Sequence, residues 1–342
     1  MQAQDPVSIH LSEKNGLPDK EFYDLFEDNK GFIWLAGDKG LFRYNGKNYK
    51  SYSNLKQRGI SVFGLKQDNK GRIWCNNISG QFFYTKNNKL HLFTDLSQIL
   101  KGELSRFSIK DNYLWVFSTK RIYKINLKTK LIDFSHESED GIGNHLKIDD
   151  TIYFNKADSI YSILNNKIKP LIAKRLQIRN KKGITITEGR SKIFKAVSSL
   201  ILFEKRFGKN KFYKLDFVKK KINEITGTEL IDKERIYTEF KFKNEVWFGT
   251  NTGVYVYELI NNHFRFKRHF LKKNNVTKII KDKEDNYWFA TLNDGIYVIP
   301  NINIEECQLI DTNKNISSLD IVNDSILTFG TKKGDIGFYN IE

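Results

Sequence analysis

Eight polar residues recur along the chain, each just ahead of an apolar, β-type segment: Lys20, Arg58, Arg106, His145, Arg190, Arg235, Asn275 and Asn315. If the segments that follow them stand around one axis, these side chains converge on one mouth. Ammonium and guanidinium groups bind carboxylate or sulfate, the guanidinium in bidentate fashion, so a converging set suits an acidic sugar or another small anion. Tyr23, Phe63, Phe107 and Tyr237 follow close behind four of these residues and offer faces for stacking on a sugar ring. The competing reading is that strand-entry loops are polar in any β-protein and that Lys and Arg are abundant here, 57 of 342 residues.

Other chemistry finds little support. The six histidines (His10, His91, His136, His145, His263, His269) are scattered, without the close spacing of a metal pair. Asp149-Asp150 and Glu305-Glu306 are adjacent, and neighbours on a strand point to opposite faces, so neither pair can close on one substrate. The acidic run from Glu137 to Asp140 reads as a solvated loop, and Asp28 and Asp68 read as turn formers. No nucleophile elbow and no phosphate-binding loop is present. Cys75 and Cys307 lie far apart in unlike contexts and support neither a disulfide framework nor a thiolate metal site. The expectation is therefore no catalytic residue, no metal and no cofactor.

The formal charge of +17 attracts anionic partners through its long-range field. Nucleic acid is not the expected one, because the aromatic residues interleaved with Lys fall at the spacing of a packed core. No apolar run approaches the roughly 18 residues of a membrane helix. Met1 to Pro6 reads like an initiator Met set at or near the end of a removed secretory leader.

What positions the polar residues is a repeat. EDNKGFIWLAGDKGLFRY (27–44), QDNKGRIWCNNISGQFFY (67–84) and KEDNYWFATLNDGIYV (283–298) share an Asp/Asn/Gly turn, a strand centred on Trp and a Gly-led strand ending in an aromatic or aliphatic residue. Centres fall at Trp34, Trp74, Trp115, Tyr153, about Leu202, Trp247, Trp288 and about Leu327, which gives eight units. Each unit reads as three or four short strands, and the second strands (FIWLA, RIWCN, EVWFG) are apolar at consecutive positions, as expected of sheets covered on both faces. Such a unit cannot bury both faces alone, so the units must pack on one another. The expectation is an all-β chain forming a single β-propeller of four-stranded blades over residues 1–342, with eight units counted and seven blades the alternative if one end unit lies outside the ring. The last unit lacks a fourth strand, and the N-terminal segment Val7–Leu11 is the expected latch, pairing into that final blade.

The stretch Gly16 to Ser53, with GLP, then EFYDLFEDNKGFIWLAGDKGLFRYNG, resembles the two-component regulator propeller repeat. The match is close around Trp34 and Trp74, good around Trp247 and Trp288, and loose around Tyr153 and Leu202. The resemblance implies a non-catalytic, periplasmic sensor region that binds a carbohydrate-like or anionic small ligand at one mouth of a central channel. Its implied partners are that ligand and a membrane-anchored signalling module, with a homodimer as the coupling geometry. The alternative is a propeller enzyme, a glycan lyase or hydrolase, with its site at the same mouth.

Overall fold

The structure is a computed structural model that describes residues 5–139, 141–148, 151–156, 159–173, 191–196, 199–206, 208–304, 315–323 and 325–340. Among these residues the regular structure is antiparallel β-sheet, apart from one helical turn at Ser97–Leu100 and two 3-10 turns. Seven sheets have four strands and one has three.

The second strand of each unit carries the apolar run that the sequence shows, and its burial explains why alternation is lost. In Ile33–Gly37, Ile73–Asn76 and Tyr287–Thr291 every residue is buried. Both faces of each sheet are covered by neighbouring sheets, so neither face needs polar side chains. Seven separate apolar clusters fill the space between sheets, one for each interface. Trp34 and Leu41 of the first sheet meet Leu65, Cys75 and Phe83 of the second. Further round, Trp247 and Phe270 of the sixth meet Val276 and Phe289 of the seventh. The seventh interface closes the circle: Leu25, Leu35 and Phe42 of the first sheet pack with Trp288, Ala290 and Val298 of the seventh.

Seven blades therefore form the ring. The N-terminal strand Ile9–Leu11 does latch it, but on the seventh unit and not on the final one as the sequence suggested. It pairs Ile9 with Val298, His10 with Tyr297 and Leu11 with Ile296, supplying the fourth strand that the unit around Trp288 lacks. The eighth unit, Ile316–Asn323, Ile326–Thr331 and Ile336–Asn340, is a three-stranded sheet that contributes to none of the seven clusters. Its Leu319, Ile321, Val322, Ile336 and Phe338 are exposed.

The turn motif has a second purpose beyond closing a hairpin. Asp68 Oδ1 accepts the backbone N–H groups of Lys70 and Arg72 at 2.9 and 3.0 Å, while Oδ2 accepts Trp74 Nε1–H at 2.8 Å. Asp28 does the same for Lys30, Phe32 and Trp34, and Asp282 for Glu284, Asn286 and Trp288. An Asp six residues before Trp thus pins the turn to the core aromatic of its own blade. In the sixth blade Glu245 takes over the indole bond to Trp247 at 2.8 Å.

Candidate functional site

The first strands of the seven blades are the innermost: Phe22–Glu27, Phe63–Gln67, Arg106–Lys110, Ile142–Ile148, Lys192–Ala196, Ile236–Phe242 and Val276–Lys281. Each stands at one edge of its sheet, and neighbouring ones approach each other around the ring. Each mixes apolar residues with polar ones, and one polar side chain from each strand takes part in a set that meets across the channel. Asp24 touches both flanking blades: Lys278 Nζ lies 2.8 Å from Oδ1, and Leu65 N–H donates to Oδ2 at 2.8 Å. Ser108 Oγ and His145 Nε2 are 2.8 Å apart, and Lys192 forms an ion pair with Glu239. Lys66 Nζ donates to its own strand's Leu65 carbonyl at 3.1 Å. The electrostatic influence of Lys66 reaches His145 across the intervening blade, as expected of groups that share one channel.

These seven side chains form a belt. Lys66 and Ser108 pair directly with Trp74 and Trp115 of their second strands. His145, Lys192 and Glu239 are one position from residues that pair with Tyr153, Leu202 and Trp247, and Asp24 and Lys278 are two positions away. At about 3.3 Å per residue the belt is roughly 7 Å tall. Backbone irregularity aims four of its members. The ladder register shifts between Phe22 and Asp24, Phe63 and Lys66, Ile142 and His145, and Val276 and Lys278, each time ending on a belt residue. A bulge inserts an unpaired residue and redirects the next side chain, which is how an inner strand can present a charge without giving up its apolar face. Gly64 makes the second of these shifts with φ +64°, where a Cβ would stand 3.0 Å from the Phe107 ring.

Burial and charge set the protonation of the belt. Burial raises the Asp24 carboxyl, but Lys278, Lys66 and the Leu65 N–H outweigh it and hold the group below the usual carboxylate range. Lys278 is held above the ordinary amine value because Asp24 outweighs its burial. Lys66 is pushed down by burial, with Lys278 adding to it. His145 is pushed down to about 3, first by burial and then by Lys66 and Arg106. It stacks on Phe117 at 3.8 Å between ring centroids.

The residues expected at the mouth divide into groups. Lys20, Arg106 and Arg235 are exposed, at or just before the start of innermost strands. Arg58 turns outward along its own blade to Asp95, 2.7 Å away, and lines a cavity of about 340 Å³ with Ile78, Ser97, Leu100 and Glu103. His145 belongs to the belt below the mouth, with Arg106 close enough to affect its charge. The Arg235 guanidinium lies 5.2 Å over the Tyr237 ring, and Tyr237 O–H donates to Asn275 at 3.4 Å. Asn315 belongs to the eighth sheet, outside the ring, where its carbonyl accepts Lys332 N–H. Arg190, Asp149, Asp150, Glu305, Glu306 and Cys307 lie outside the described residues.

Of the expected stacking faces, Tyr23 and Phe63 stack on each other at 4.6 Å and are half-buried. Phe107 is different: it is 3% exposed and packs edge-on to Phe82 in the core, so it offers no face to a ligand. The mouth also carries acids. Tyr23 O–H donates to Glu21 at 2.8 Å, and Ser61 Oγ–H to Asp38 at 2.6 Å. Among the described residues no three of His, Cys, Asp and Glu converge as a metal site requires. No helix among them is long and apolar enough to cross a membrane.

Comparison with known proteins agrees with this geometry. The two component regulator propeller family matches residues 16–39, the segment that holds the first inner strand with Asp24 and the Asp28–Trp34 turn. No curated protein matches the chain. Among solved structures, the chain is similar to the extracellular domain assigned to a hybrid two component system of B. thetaiotaomicron, BT3049, at 15% identity and a TM-score of 0.70, covering 98% of this chain and 48% of that one. It is also similar to the corresponding domain of BT4673 from the same organism, at 14% identity and a TM-score of 0.64, covering 99% and 47%. The chain thus spans about half the length of those extracellular domains. Virginiamycin B lyase from Staphylococcus aureus shares 16% identity with a TM-score of 0.64, covering 86% of this chain and 99% of that one. At these identities the likeness establishes the propeller fold.

Proposed function

We propose that the chain is a non-catalytic, ligand-sensing propeller on the extracytoplasmic side of a two-component system. It takes a carbohydrate-like or anionic small ligand at the mouth where the innermost strands begin. The observation that supports this most directly is the Arg235 guanidinium over the Tyr237 ring at the start of an innermost strand, where Lys20 and Arg106 are exposed at the corresponding ends of theirs. Sugar rings are recognised by stacking and their acid groups by guanidinium, and both are on offer there. Occupancy signals only if bound and free states engage the membrane-anchored partner differently, in one arrangement as a homodimer.

The second reading, a lyase or hydrolase at the same mouth, rests on the Ser108–His145 pair. That pair is poorly equipped for it. A base activating Ser works best with a pKa near the operating pH, whereas His145 is held down to about 3 and no carboxylate bonds its Nδ1.

The test is a panel of neutral and acidic oligosaccharides titrated against the protein by calorimetry, and again after Lys20, Arg106 and Arg235 are all changed to Ala. Saturable binding of at least one member, weakened in the triple variant, is the expected result. Failure of every member to bind, or turnover of any of them, would overturn the reading.

A further inference from the structure

The belt holds an imbalance of charge that its own residues do not resolve. It contains three lysines and two carboxylates, and each carboxylate already has a lysine: Asp24 has Lys278 and Glu239 has Lys192. Lys66 is the third lysine. Among the described residues it forms no ion pair, and its one hydrogen bond, to the Leu65 carbonyl, uses one of three ammonium protons. It is part-buried and lines the channel, and Asp24, which Lys278 already holds, acts on it only at a distance. Nor is its position a by-product of regular pairing, because a register shift with Gly64 in the left-handed region delivers Lys66 to the channel.

We propose that Lys66 seats the carboxylate group of a small ligand in the central channel, with the Ser108–His145 pair beside it. Three features point to a carboxylate or similar monovalent oxyanion. One formal positive charge is left over in the belt, which matches one acid group. The approach from the mouth passes Arg106, two residues before Ser108 on the same strand and within electrostatic reach of His145. Neutral His145 adds a polar ring edge without a second charge, so the site is matched to a monoanion and not to a dianion such as phosphate. Asp24 already accepts Lys278 Nζ, Leu25 N–H and Leu65 N–H, and Lys66 forms no ion pair with it.

The same carboxylate chemistry can come from a free organic acid or from the acid group of a uronic sugar. In the second case the inference rests on the proposed mouth site and names its ligand class, with the ring on the aromatic faces and the acid below. The experiment titrates acetate, glucuronate and glucose at constant ionic strength against the full chain, reading thermal midpoint and calorimetric heat. It repeats the titrations on Lys66→Met, Lys66→Arg and, as a surface-charge control, Lys86→Met. A saturable response to acetate and glucuronate together identifies a free acid as sufficient, and a response to glucuronate alone identifies the acidic sugar. In either case Lys66→Met should raise the half-saturation concentration by about tenfold or more, Lys66→Arg should restore part of the affinity, and Lys86→Met should change nothing. Lys66→Arg keeps the test decisive if the Met variant folds poorly. Binding unchanged in Lys66→Met, or lost equally in Lys86→Met, would overturn the inference, as would no carboxylate response in the unmodified chain. Oligosaccharide binding that needs the mouth arginines but ignores Lys66 would sink this inference and leave the mouth reading standing. Acetate binding through Lys66 with no oligosaccharide bound would do the reverse.

Discussion

Replacing Asp68 by Ala should destabilise the ring more than any comparable change in a surface turn. The side chain is 1% exposed, and its carboxylate accepts four bonds: two turn N–H groups, Arg72 Nε–H at 2.6 Å and the indole of Trp74. Trp74 is 0% exposed, so its orphaned N–H finds no water and carries the full cost of an unsatisfied buried donor, about 1–3 kcal/mol. The two turn amides lie nearer solvent and lose about 0.5–1 kcal/mol each, and the partly exposed Arg72 pair about as much again. The sum is about 2.5–6 kcal/mol. Glu245→Ala in the sixth blade removes the indole bond to Trp247 but no turn contacts, so it should cost about 1–3 kcal/mol. Asp68→Asn should fall between them, because it keeps an acceptor for the turn but sets an amide N–H₂ against the indole donor. Urea unfolding followed by circular dichroism measures all three. A loss below about 1 kcal/mol for Asp68→Ala, or a larger loss for Glu245→Ala, would refute the claim that one carboxylate couples turn to core.

Three further outcomes are expected. Because His145 is held down to about 3 while its unfolded value is near 6.5, the unfolded chain binds the proton between these limits and the folded chain does not; stability should therefore fall as pH drops from about 6.5 toward 3, by up to about 1.4 kcal/mol per pH unit, and His145→Asn should flatten that part of the profile in urea titrations at several pH values. Removing residues 1–12 strips the fourth strand from the seventh blade and should lower the thermal midpoint, whereas ending the chain after Ile304 should leave the ring's own transition in place; equal losses from both truncations would contradict the seven-blade closure. The Cys75 thiol is fully buried and pushed up by burial to about 12, so it should resist iodoacetamide in the native protein and react once the chain is unfolded, as mass spectrometry would record.

Periodicity made the blades legible in the sequence. Trp34, Trp74, Trp247 and Trp288 sit at matching points of a four-stranded meander, and the consecutive apolar residues around them could only be covered by neighbouring sheets. The turn carboxylates were legible too, as hairpin formers, but their bonds to the indoles six residues on were not, because linear spacing does not say that a turn folds back over its own core. How many units close the ring lay beyond the sequence for a physical reason: the eighth unit has the same local pattern as the other seven, and only packing distinguishes a blade with two covered faces from one outside the circle. The latch was visible as an unpaired strand, yet its partner depended on which blade stood beside it in space. The channel site shows the same division. Arg106 and His145 could be picked out as polar residues at strand entries, while Asp24, Lys66, Glu239 and Lys278 lay among other polar residues inside the strands with nothing to single them out. Polar residues within each innermost strand become a site only when bulges present four of them and ring closure brings seven distant segments onto one axis.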